Sequence, residues 1–168
     1  MEVTNLSKYQ PMPLQYMCHM NYLYEDGAKF GGSLPDSAFT VRSSIPDHVH
    51  PTDEWREMLD GLITNPKVEE LSEATHYDPE IVWFADNLPQ YGEEVSVTMG
   101  DYFIEFPSKD FNVGTRWILH NADQKVCAFL IPGTSRPEGA AAARKAGTMI
   151  ELKAGETRNF HVRTGKRS

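Results

Sequence analysis

The chain has 168 residues, 40% of them hydrophobic and 24% charged, with a formal net charge of -8. Such a composition is ordinary for one globular domain over residues 1–168, and the length is enough to bury a real core. The acidity argues against nucleic acid and against an anionic membrane surface as partners, and no apolar run approaches the roughly 18 residues of a membrane span.

The N-terminal "MEVTNLSKYQPMP" has no basic segment followed by an apolar one, so no secretory signal is expected and a cytoplasmic location follows. Residues 2–6 read as a short strand and 13–24 as a long one. Within the latter, "QYMCHMNYLY" sends Tyr16, Cys18, Met20, Tyr22 and Tyr24 to a core face. Gln15, Met17, His19, Asn21 and Leu23 take the other, which gives an imidazole and a carboxamide half-buried positions in apolar company. Residues 29–37 form a Gly/Pro-rich loop, and 38–44 a strand with Phe39 and Val41 on one side. "PTDEWREMLDGL" has Trp55, Met58, Leu59 and Leu62 at helical spacing behind an acidic first turn, which predicts a helix near 52–63.

Residues 80–86 read as a buried strand, and 94–107 as a hairpin turning at Gly100–Asp101. Strands at 115–121 and 125–132 are joined through "NADQ". A second helix is expected near 137–146, stopped by Gly147. Residues 148–165 read as a last hairpin turned by "AGET". Cys18 and Cys127 each sit in an apolar run and read as reduced core thiols. About nine strands, two short helices and tight hairpins predict an all-β antiparallel sandwich.

His48, His50, Glu54 and Gly61 reproduce the ligand spacing of a cupin metal site. A cupin supplies those ligands from strands, whereas 53–62 has helical periodicity, and no later histidine motif follows; a solvated loop is the plainer reading. Cys18 and His19 cannot form a catalytic pair directly, since neighbouring strand residues face opposite ways. No phosphate-binding glycine loop occurs. What remains is a set of polar residues inside apolar strands: His19 and Asn21, Asp78 and Glu80, Arg116 and Trp117, His120 and Asn121. Alternation groups Arg116 with Ile118 and His120, and Trp117 with Leu119 and Asn121. Histidine, asparagine, arginine and tryptophan on sheet faces suit a sugar, whose hydroxyls need donors and acceptors and whose ring packs on an aromatic plate.

The segments "PMPLQYMCHMNYLY", "DPEIVWF", "FNVGTRWILHNADQKVCAFLIPGTSRPEG" and "LKAGETRNFHVRTG" together resemble the aldose 1-epimerase (galactose mutarotase-like) superfamily, nearest its poorly characterised bacterial branch. The resemblance implies a large β-sandwich that binds a monosaccharide on a concave face and interconverts its anomers by general acid–base ring opening, with no cofactor. It implies His19 as the acid, with Asn21, Arg116 and Trp117 holding the ligand. The family's basic glutamate falls on Ile131, which cannot accept a proton, so Glu138 is the nearest carboxylate for that role; it could also cap the following helix. Ile131 leaves a non-catalytic sugar-binding module as the alternative, with a cupin-type metalloprotein more remote. The match begins at the family's mid-domain strand, so the expectation is the C-terminal half of such a sandwich, with an exposed sheet face or edge that invites self-association.

Overall fold

Val95, Val97 and Met99 alternate with polar neighbours, and Ile104 and Phe106 repeat the pattern after Gly100, so such strands can bury only one face. In the computed structural model, residues 1–45 and 50–167 are described. The first half carries β1 (Glu2–Thr4), β2 (Met12–Leu14), β3 (Tyr22–Leu23), β4 (Phe30–Gly32), β5 (Phe39–Val41) and helix α1 (Asp53–Thr64). Then follow β6 (Tyr77–Asp86), β7 (Glu94–Met99), β8 (Tyr102–Pro107), β9 (Val113–His120) and β10 (Lys125–Gly133). Helix α2 (Ala140–Lys145), β11 (Ile150–Leu152), β12 (Thr157–Asn159) and β13 (Arg163–Lys166) complete the described chain.

Two sheets dominate, one ordered β3-β10-β9-β6-β5 and the other β13-β8-β7-β4. Every ladder is antiparallel. Ile81, Trp83, Ile118, Cys127 and Phe129 of the first sheet share one core with Val95, Val97, Met99, Ile104 and Phe106 of the second. Tyr22 links the layers, its ring 4.6 Å from Phe129 and 5.3 Å from Tyr102. The all-β antiparallel sandwich with two short helices is therefore the architecture. No helix among the described residues is long and apolar enough to cross a membrane.

α1 forms where the periodicity places it. The Thr52 hydroxyl caps it by accepting the Trp55 backbone N–H at 3.2 Å, and Trp55 and Leu59 turn inward. The Trp55 indole N–H donates to the Pro79 carbonyl at 2.6 Å, which ties the helix to β6.

Three expectations change. Residues 29–37, expected as a loop, contain β4, because Phe30–Gly32 finds the edge of β7 as a partner. Residues 13–24 keep the period-two alternation, with Tyr16, Cys18, Met20, Tyr22 and Tyr24 turned inward and His19 and Asn21 exposed, but they are not one strand. β2 pairs with β11, a lone bridge joins Met17 to Gly133, and β3 pairs with β10. The segment changes partners along its length, and the ladder breaks where it does. The C-terminal hairpin is also absent: a turn does occur, with Gly155 at φ +74°, but β11 and β12 diverge to pair with β2 and β1.

Candidate functional site on the outer face of the main sheet

Alternation along β9 decides which side chains leave the core. Arg116, Ile118 and His120 turn inward and are buried, while Trp117 and Leu119 turn to the outer face. The ladders set Val82 of β6 and Ala128 of β10 beside Trp117. Ala128 is small, and across it the exposed His19 imidazole meets Trp117 edge-on, with ring centroids 6.0 Å apart at 76°. His19 Nε2 lies 3.0 Å from Asn21 Oδ1; with the amide oxygen as acceptor, Nε2 carries the proton and Nδ1 is left toward solvent or a ligand.

On the other side of the indole, Trp117 Nε1–H donates to Glu80 Oε2 at 2.7 Å, and Arg42 Nη2 donates to Glu80 Oε1 at 3.0 Å. The β6–β9 register shifts between Tyr77 and Ile81, the stretch that contains Glu80, and such irregularities re-aim side chains. The result is a polar row across the sheet: Asn21, His19, Trp117, Glu80, Arg42. Beside it lies an apolar floor, with Val82, Phe84, Ala128 and Ile131 all at most 4% exposed. Along the row His19 and Asn21 are exposed, and Trp117, Glu80 and Arg42 are half-buried. A concavity of about 780 Å³ lies elsewhere, between Pro89–Glu94 and Pro107–Lys109. Its lining brings together no imidazole and carboxylate, so its size alone carries no chemistry.

The structure brings together three of the residues given a role by the resemblance, His19, Asn21 and Trp117, with Glu80, which the sequence had set apart without a role. Arg116 does not join them. Its guanidinium sits on the core face between the rings of Phe30 and Phe39, 4.2 and 4.3 Å from their centroids, and Nε donates to the Phe129 carbonyl at 3.3 Å. Burial pulls its pKa down to about 10. Arg116 is a core cation held by two aromatic faces, and the reason is its parity in β9. Glu138 lies in another place, lining a depression of about 420 Å³ with Asp86, Asn87, Arg136 and residues of α2. Arg136 pairs with Asp86 there and stacks on Phe84 at 4.5 Å. The N-cap of α2 is Gly139, which makes no side-chain cap hydrogen bond. Ile131, cross-strand from Thr115, is buried and carries no proton acceptor.

Of the cupin-like set, Glu54 stands in the first turn of α1 and His50 is exposed, while His48 lies outside the described residues. Cys18 and His19 do face opposite ways, the thiol half-buried and the imidazole exposed. Sequence reasoning gave no role to Glu80 or Arg42. The available signal was parity: Glu80, Val82 and Phe84 share a face, and a carboxylate at the head of that row had no reason to be inside.

No family model matches the chain, and no curated relative does. Among solved structures, the chain is similar to one described as a "putative aldose 1-epimerase" from Klebsiella pneumoniae, with a TM-score of 0.70 and 22% identity. The match covers 96% of this chain and 40% of that one. The fold is thus that of part of an aldose 1-epimerase-like β-sandwich. At this identity the likeness speaks to fold alone, and the chain spans well under half the length of the structure it matches.

Proposed function

We propose that the outer strip binds a monosaccharide and interconverts its anomers, as an aldose 1-epimerase-like protein. The observation that carries the reading is the alignment of an exposed imidazole, an indole plate and a carboxylate on one sheet face. Trp117 offers the face on which a pyranose packs, and Asn21 fixes the orientation of His19. His19, as imidazolium, donates its Nδ1 proton to the ring oxygen as the ring opens. A second reading, a sugar-binding module without turnover, is favoured by Ile131, which carries no proton acceptor.

Anomer exchange followed by NMR with a panel of aldoses separates the two. His19→Ala should lower the exchange rate by roughly 10²–10⁴-fold, the usual contribution of a positioned acid. Because His19 is exposed, its loss should leave stability within about 0.5 kcal/mol. Exchange that is unchanged in His19→Ala would remove it from the mechanism. Sugar binding without exchange in the unmodified chain would establish the binding module.

A further inference from the structure

We infer that Glu80 is the general base of this site, so that the base sits on β6 and not on β10. The inference rests on the sugar reading above and asks where its second proton goes. Anomer interconversion needs an acid and a base that reach two oxygens on the same carbon. The carboxylates suggested by sequence do not stand beside His19 and Trp117: position 131 is isoleucine, and Glu138 lines a depression with Arg136 and Asp86 whose lining includes neither. Glu80 meets it. It hydrogen-bonds the same indole that His19 meets edge-on, so acid and base flank one side chain.

Its surroundings suit the role. Each oxygen accepts one hydrogen bond, from Trp117 and from Arg42, which fixes the carboxylate plane while leaving each oxygen a further lone pair. The side chain keeps 31% of its surface exposed, so a ligand can reach it. In the step itself, Glu80 removes the proton of the C1 hydroxyl and O1 becomes a carbonyl oxygen. The C1–O5 bond breaks, its electron pair goes to O5, and His19 delivers a proton there. Rotation about C1–C2 turns the other carbonyl face to O5. Reclosure then re-forms the C1–O5 bond, returns the O5 proton to His19, and gives O1 the proton held by Glu80. Atoms and charge balance without any co-reactant.

The test uses the full chain with freshly dissolved α-D-glucose and α-D-galactose, read by polarimetry for rate and by NMR titration for binding. Glu80→Gln keeps an acceptor for Trp117 and should lower the rate roughly 10²–10⁴-fold while shifting affinity only a few-fold. Glu80→Asp should recover part of the loss, which guards against a folding artefact, and Glu138→Gln should match the unmodified chain. A normal rate in Glu80→Gln with a loss in Glu138→Gln would overturn the assignment and leave the sugar reading standing. Binding without any acceleration in the unmodified chain would overturn this inference and the turnover reading together, and leave the sugar-binding module standing. Absence of both binding and acceleration with either sugar would overturn the sugar reading and this inference with it.

Discussion

Cys127 and Cys18 differ chemically because they differ in burial. The Cys127 side chain is fully enclosed, and burial pushes its thiol up to about 12, far from the reactive thiolate range. Cys18 is half-buried beside Tyr16, whose own phenol burial and the neighbouring thiol push up to about 12. At neutral pH a thiol-titrating disulfide reagent should therefore modify Cys18 and spare Cys127, and should count both in guanidinium. Two equally fast thiols in the native protein would refute the burial assigned to Cys127. At this scale the sequence was most informative for parity and least for company. His19, Asn21 and Trp117 could be set on faces by counting in twos, but that Glu80 would meet Trp117 depends on how β6 and β9 align, which no local pattern encodes.

Strands and helices divide the same way. α1 and the β7–β8 and β9–β10 hairpins were legible because capping, periodicity and tight turns are local. The partners of β2, β11 and β12 were not, because those pairings join distant parts of the chain. β4 shows how strictly one such pairing is specified. Gly32 has φ +129°, and a Cβ there would meet the Ser96 carbonyl oxygen at 2.2 Å, backbone that cannot yield. Gly31 next to it would meet only the Thr98 hydroxyl, at 3.1 Å. Gly32→Ala should thus cost at least about 1–3 kcal/mol from conformational strain, with the clash in addition, while Gly31→Ala stays much milder. Urea unfolding of the two variants side by side checks this; equal midpoints would contradict the close approach of β4 to β7.

Across the whole molecule, the two ends of the chain are sewn together. The buried Asn5 amide donates to the carbonyls of Gln10, Leu152 and Lys153 at 2.9, 3.0 and 3.1 Å, and its oxygen accepts the Ser7 N–H at 3.0 Å. Asn5→Ala orphans these groups at once and should cost about 1–3 kcal/mol, read as a lower denaturation midpoint; an unchanged midpoint would mean that water replaces the amide without loss. The β1–β12 pairing it supports reaches its extreme where the Met1 amino group donates to the Phe160 carbonyl, 159 positions later. For a ribosome adding about 5–20 residues per second, that separation is roughly 8–30 s of synthesis. Throughout that interval β1 is without the strand it pairs with, β12. The β7–β8 and β9–β10 hairpins, complete within a few residues of their turns, can assemble first. The residues of β1 are therefore among the last of these strands to find their place, because the edge they close, Thr157–Asn159, lies far along the chain.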